Sequence, residues 1–324
     1  MRAGIKDIAE WLKYRKHPLI CTHIRPDGDA LGSLVGFVCA LNDAGYECSG
    51  YISSEIPDRY RELLPSVPNL HVDSYPHEDF DSIVCLDTAT AERADIPEEV
   101  ELGEEHPIAN LDHHADNTGY GEINFIDSGK AATASLLVEI LHEMDIPIRS
   151  GTANSLLTGL VMDCGGFRFR NTAPATLRIA AQLIEAGADL HLIMDRMFFQ
   201  EPLGVLQLKA ALLQNADFDC NNQFIYAVMD ADLRAEFGVS ANETEGVIDA
   251  LRCVQGTLIA CLIQPQKDGV RLSLRSREPE YPVDNIARQL GGGGHSLAAG
   301  AELEDITIPE AINKVGDLVR KVLN

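Results

Sequence analysis

Four short stretches of this 324-residue sequence concentrate aspartate and histidine at spacings that suit a divalent cation. The first, His23-Ile-Arg-Pro-Asp27-Gly-Asp29-Ala-Leu-Gly-Ser33, places three donors in one loop through a His-x3-Asp-x-Asp spacing. Leu86-Asp87-Thr88 is the second, Asn110-Leu-Asp112-His113-His114-Ala115 the third, and Val161-Met-Asp163-Cys-Gly-Gly166 the fourth. Massed carboxylates repel one another and stay ionised only beside a compensating cation. Imidazole and carboxylate without thiolate suit Mn²⁺ better than a thiophilic ion. His23, Asp27, Asp29, Asp87, His113 and Asp163 make six side chains, too many for one catalytic ion that keeps an open position. Two ions roughly 3.5–4 Å apart, bridged by one carboxylate and one water, would use them all, and the water would attack phosphorus as hydroxide. Each stretch alone has a plainer explanation, because a strand ending in Asp is commonly a turn or a helix cap and paired histidines usually sit at the surface. All four in this order outweigh it.

To meet, these stretches must lie at matching ends of neighbouring elements. Residues 18–22, 82–86 and 107–111 are short apolar runs, each leading into one of the stretches, and 46–52 reads as a further strand. The spacing predicts helices over 5–16, 30–44, 131–144, 151–162 and 173–186, with Gly187 as the stop of the last. Such alternation predicts an α/β fold: a parallel sheet with helices on both faces, whose strand C-termini line one crevice. Gly28 and Gly32 let the backbone pass close to the site, and Ser33 is taken to open a helix whose N-terminus favours anions. After about residue 190 the texture changes. Strands are expected at 224–229, 256–263 and 270–274, helices at 243–251, 282–290 and 309–322, and a hairpin turn at Lys267-Asp268-Gly269. This reads as a smaller α+β domain, giving domains over 1–190 and 207–324, a linker over 191–206, and an active site in the cleft between the domains.

The segments HIRPDGDALGS at 23–33, LDT at 86–88, LDHH at 111–114 and MDCGGFRF at 162–169 resemble motifs I to IV of the DHH phosphoesterase superfamily. The resemblance implies one ion held by His23, Asp27 and Asp87, and another by Asp29, Asp87, His113 and Asp163, with Asp87 as the bridge. It further implies that His114 faces the substrate phosphate and that Asp112 orients the neighbouring imidazoles, so His114, Asp87 and Asp112 are the expected catalytic residues. Downstream, GGGGHSLAAG at 291–300 resembles the GGGH segment of the DHH-associated C-terminal domain. That places Gly292, Gly293, Gly294 and His295 at substrate phosphate or base. Consecutive glycines offer backbone N–H groups to an anion, and a histidine adds a charge-assisted bond. Arg271, Arg275 and Arg277 alternate along VRLSLRSR and share one face. Ser273 is read as facing away from Arg275, which is the arginine expected at substrate phosphate; edge decoration is the alternative for any one of them. Arg168 and Arg170, with Asn171-Thr172, resemble the FRFxNT segment of the same subgroup. Arg168 is expected near the scissile or leaving group, with a surface ion pair as the plainer role.

In length and in the pairing of the two domains the chain is similar to the nanoRNase and pAp-phosphatase subgroup, whose core is similar to that of the longer RecJ exonucleases. The resemblance implies a cytoplasmic hydrolase that uses two divalent cations, Mn²⁺ first and Mg²⁺ second. It implies as substrates oligoribonucleotides of two to five nucleotides and adenosine 3′,5′-bisphosphate. Composition agrees. Fifty Asp and Glu face 26 Lys and Arg, a net charge of −24, which repels long duplex nucleic acid but not a small anion bound beside cations. No apolar run approaches the ~20 residues of a membrane span, and the first eight residues carry no apolar signal core. The eight cysteines are scattered singly, as suits buried thiols in a reducing compartment. The expected partners are therefore short RNA or nucleoside bisphosphates, with no membrane, and the chain is expected to be a monomer or homodimer. Rival readings are a linear-dinucleotide (pApA or pGpG) phosphodiesterase and an inorganic pyrophosphatase or polyphosphatase of the same superfamily. Family II pyrophosphatases would carry clustered lysine and arginine in place of the GGGH segment. A non-catalytic regulator would lack a motif residue, and a long-chain exonuclease would want a basic groove or an added OB-fold.

Overall fold

Strands buried on both faces carry continuous apolar runs and belong to parallel sheets. The computed structural model, which describes residues 3–74, 79–100, 106–244 and 246–323, contains two compact units, Met1–Gln200 and Glu201–Asn324. The first comprises α1 Ile5–Lys13, β1 Pro18–Cys21, α2 Gly28–Asp43, β2 Ser49–Ile52, α3 Asp58–Arg61, β3 Leu70–Val72, β4 Ser82–Leu86, β5 Ile108–Asp112, β6 Ile123–Ile126, α4 Thr133–Glu143, α5 Ser150–Asp163, α6 Pro174–Glu185 and α7 Leu190–Met194. Its six strands run parallel in the order β3-β2-β1-β4-β5-β6. Every residue of β1 and β4 is buried. Alternate residues serve two cores: Ile20, Val84, Leu86 and Leu111 pack with the helices, while Leu19, Cys21, Ile83 and Cys85 pack with Phe80 and Val100. The α/β class is as expected, but the cover is not symmetrical. The helical residues belong to the first core, and connecting segments with Ile96 and Tyr120 cover the other face.

The strand order reverses direction between β1 and β4. In open parallel sheets the crevice beyond the strand C-termini at such a reversal is where ligands bind.

The second unit comprises α8 Leu203–Gln214, β7 Asp217–Asp219, β8 Phe224–Val228, α9 Ala231–Glu236, α10 Val247–Arg252, β9 Ile259–Gln266, β10 Gly269–Ser276, α11 Asp284–Gln289, β11 Gly293–His295, β12 Ala298–Glu304 and α12 Ile308–Leu323. Its mixed sheet has the order β11-β12-β10-β9-β8-β7, with only β8 and β9 parallel. One face packs on α11 and α12 through Leu272 and Leu274, the other on α8 and α10 through Ala260 and Leu262. Residues 191–206 hold most of α7, a π-helical turn at Asp195–Phe199 and the start of α8. Among the described residues no helix is long and apolar enough to cross a membrane.

Candidate metal centre

Three of the four acidic stretches leave the C-terminal edge of the first sheet. His23 lies two residues past β1, Asp87 directly follows β4, and Asp112 ends β5. Asp87 adopts φ +55°, a left-handed conformation that aspartate and asparagine tolerate better than most residues. Asp27 caps α2, accepting from the N–H groups of Asp29 and Ala30 at 3.0 and 3.1 Å. Ser33 does not open that helix, which begins at Gly28; it sits in the second turn and donates its hydroxyl to Asp29 Oδ1 at 3.1 Å.

Asp163 arrives by another route, as the last residue of α5, the helix expected over 151–162. Close helix packing delivers it. A Cβ on Gly32 would stand 2.4 Å from the Ser155 carbonyl oxygen, one on Gly28 2.3 Å from Met162 Cγ, and one on Gly159 2.7 Å from Asp29 Oδ1. Only glycine lets α2 and α5 approach this far. A carboxylate at a helix C-terminus also faces the negative end of the macrodipole, so Asp163 gains most from a nearby cation.

The six side chains form two sets. Ligand atoms of His23, Asp27 and Asp87 lie within 4.8 Å of one another, as do those of Asp29, His113 and Asp163. Asp87 stands between the sets: its Oδ2 is 3.9 Å from His23 Nε2, and its Oδ1 is 3.5 Å from His113 Nε2. His113 Nε2 is 3.1 Å from Asp163 Oδ2. The opposite ring nitrogens meet backbone carbonyls, His23 Nδ1 at Ile24 (2.9 Å) and His113 Nδ1 at Lys130 (3.4 Å). Those carbonyls accept from Nδ1–H, which leaves Nε2 as the nitrogen each ring turns toward the carboxylates and would offer a cation. A third set, Asp87, His113 and His114, is equally tight, but His114 Nδ1 donates to Asp112 Oδ1 at 2.7 Å, which suits His114 less to a metal than to a proton. Asp112 is fully buried and also accepts from the His113 N–H (2.8 Å) and Asn117 Nδ2 (2.5 Å).

The electrostatics call for positive charge. Burial, reinforced by Asp87, pushes the Asp29 carboxyl up to about 7, and burial with neighbouring carboxylates lifts Asp87 and Asp163 to about 6 each. Burial works against an imidazolium at His113 and His114, but Asp163 outweighs it at the first, and Asp112 at the second, whose pKa rises to about 9. Burial likewise opposes the Asp112 anion, yet hydrogen bonds from His114 and Asn117 hold its carboxyl below the usual range. A donor set of oxygen and imidazole nitrogen, with carboxylates whose ionisation is penalised by their own crowding, fits divalent cations of the Mn²⁺ or Mg²⁺ kind.

Arg168 is exposed; its Nε donates to the Gly165 carbonyl at 2.5 Å, and its guanidinium lies 4.8 Å from the Phe198 ring centroid. In the second unit Arg275 lies half-buried on β10, 4.0 Å from Asp249 Oδ1. Arg277, just past the strand, donates to the carbonyls of Thr257 (2.9 Å) and Val254 (3.1 Å). Ser273 shares the face of Arg271 and Arg275, correcting the expected opposition: the other face is Val270, Leu272 and Leu274, all buried, and period-two alternation allows nothing else. Gly293 and Gly294 pair with Gly300 and Ala299 in the edge strand β11, and His295 pairs with Ala298. A Cβ on Gly292 would lie 2.0 Å from the Gly300 oxygen, whereas one on Gly293 would meet open space. The imidazole of His295 lies outside the described residues.

Sequence reasoning missed Thr133 and Asn117, which hold the site's carboxylates. It noted Asn171 without a role; the Asn171 amide donates to the carbonyls of Ala131 and Asp163 at 3.1 and 3.0 Å, tying the α5 terminus to the approach to α4.

A parallel sheet with aspartate and histidine gathered at its switch point, followed by a glycine-rich mixed-sheet unit, defines a class, and comparison with known families agrees. Residues 18–160 match the DHH family, N-terminal domain, and residues 221–324 the DHHA1 domain. The chain belongs to the DHH family, as a hydrolase acting on phosphoester bonds. It is 33% identical over 320 residues to the bifunctional oligoribonuclease and PAP phosphatase NrnA of Thermus thermophilus, covering 98% of this chain and 93% of that one. The protein of the same name from Bacillus subtilis is 27% identical over 288 residues, 87% of each chain. In fold, the chain is similar to an exopolyphosphatase-related protein from Bacteroides fragilis, with a TM-score of 0.89 at 21% identity over 98% of this chain and 96% of that one.

Proposed function

We propose that this protein hydrolyses oligoribonucleotides of two to five nucleotides and adenosine 3′,5′-bisphosphate in the cytoplasm, with two divalent cations, Mn²⁺ or Mg²⁺. The observation that carries the reading is Asp87, whose two oxygens face two different ligand sets. The names of the curated relatives supply the substrate class. His23, Asp27 and Asp87 would hold one ion, and Asp29, Asp87, His113 and Asp163 the other. Bound there, such ions supply Lewis acidity and bring the pKa of water toward neutrality.

The chain's own groups do the rest. His114, oriented by its bond to Asp112, would in its protonated form donate through Nε2 to a phosphoryl oxygen as negative charge gathers on it, a contact worth more in the transition state than before it. Asp112, secured by Asn117 and the His113 amide, keeps that imidazole oriented. Arg168, Arg275, Gly292, Gly293, Gly294 and His295 are assigned to substrate phosphate or base.

The test is turnover, with and without chelator, on a dinucleotide, a five-nucleotide RNA, a long RNA, adenosine 3′,5′-bisphosphate and pyrophosphate. Preference for the short RNAs or the bisphosphate, lost on chelation and restored by Mn²⁺, is the expected result. Preference for pyrophosphate would keep the metal chemistry and overturn the substrate reading; activity that persists in excess chelator would overturn the metals.

A further inference from the structure

Thr133 opens α4 and touches two of the carboxylates just assigned to metal. Its backbone N–H donates to Asp29 Oδ2 at 2.6 Å, and its hydroxyl donates to Asp87 Oδ1 at 2.9 Å. The N–H of Ala134 adds a bond of 3.1 Å to Asp29 Oδ1. Thr133 and Asp29 have no exposed surface and Asp87 keeps 3%, so these bonds form away from competing water. The residue before α4 is Ala132, whose side chain cannot cap. Asp29, 104 residues upstream, accepts from the first N–H groups of the helix instead, which is what a cap residue does locally.

The hydroxyl does something different from the amide. The terminal torsion of aspartate is broad and nearly two-fold, so a carboxylate between two cations can turn and offer both oxygens to one of them. At Asp87 the Thr133 hydroxyl engages Oδ1, the oxygen 3.5 Å from His113 Nε2, and Oδ2 is left 3.9 Å from His23 Nε2. Each oxygen thereby belongs to one ligand set. We propose that Thr133 is a positioning residue whose hydroxyl fixes the rotation of Asp87, so that one carboxylate serves both divalent cations. The inference rests on the reading of Asp87 as the shared ligand.

Thr133→Val keeps the shape and the N–H bond to Asp29 and removes only the hydroxyl; Thr133→Ser returns it. The experiment titrates Mn²⁺ calorimetrically into the metal-stripped full chain of wild type and both variants, with thermal unfolding of the stripped proteins alongside. Wild type should bind two ions. Thr133→Val should weaken one of them by about ten- to a hundredfold, the range for losing a residue that supports a metal ligand. The other ion should bind as before, Thr133→Ser should bind like wild type, and all three melting temperatures should agree. Wild-type affinities in Thr133→Val would overturn the proposal and leave the shared-ligand reading intact. So would equal weakening of both ions with a lowered melting temperature that serine does not restore, because that marks a merely structural role. A wild type that binds fewer than two ions would overturn the shared-ligand reading itself, and this proposal with it.

Discussion

Asp29 in the first unit accepts three hydrogen bonds without any exposed surface, while Arg275 in the second keeps 28% of its side chain exposed and lies 4.0 Å from the nearest carboxylate oxygen of Asp249. The contrast holds across the two units. In the first, charged side chains from four stretches are crowded, and three fully or almost fully buried carboxylates are each held by a further partner: Asp87 by Thr133, Asp112 by Asn117, and Asp29 by the start of α4. In the second, the candidate ligand-binding parts are a glycine edge strand and one face of β10 that carries exposed Arg271 and half-buried Arg275. Charges that must gather around cations need fixed geometry, because a misplaced ligand is lost altogether. Groups that only meet a phosphate or a base tolerate looser placement, since each adds one more charge-assisted bond. Damage to the first unit should therefore fall mainly on turnover, and damage to the second mainly on KM.

The largest effect should come from Asp87→Asn. Asparagine accepts the left-handed backbone at this position, so circular dichroism should match wild type while kcat falls by more than about a hundredfold. Near-normal turnover would erase the distinction between the units as drawn. Next, His114→Ala should lower kcat roughly 10²–10³-fold while calorimetry still counts two Mn²⁺ ions; loss of an ion would move His114 from substrate to metal. Gly32→Ala inserts a methyl 2.4 Å from the Ser155 carbonyl oxygen. It should cost about 1–3 kcal/mol in urea unfolding and weaken Mn²⁺ binding, because α5 must withdraw and take Asp163 with it. Gly293→Ala meets open space and should change stability by no more than about 0.5 kcal/mol; equal losses for the two glycines would show that the close approach of α2 and α5 is not special. Arg275→Ala should be the mildest, raising KM for the bisphosphate up to about tenfold with kcat nearly unchanged, as expected of a contact made equally in ground and transition states.

Much of this could be read before folding. Each of β1, β4 and β5 lies within two residues of its expected span, because continuous apolar runs of that length have little choice inside a parallel sheet. Strands β3, β6, β7, β11 and β12 escaped notice. Leu70–Val72 is only partly buried along its length, and Ala298–Glu304 opens with four small residues and has one large apolar side chain, Leu303, so neither carries the apolar signature that betrays a strand. The cover of the first sheet was misjudged for a related reason. Periodicity marks a helix as one-sided, but not which side of the sheet it takes.

The site divides the same way. His23, Asp27 and Asp29 share one short loop and the start of one helix, and His113 and His114 follow Asp112 directly, so sequence alone determined the donor types, their order and their local spacing. What only the tertiary structure decided is which partner holds each donor. Thr133 meets Asp29 across 104 residues and Asp87 across 46, and Asp163 joins His113 because Gly32 and Gly159 let two helices touch. Local spacing sets geometry within a turn or a strand. Contacts between distant segments form only where packing brings their backbones together, and a sequence pattern alone does not specify that approach.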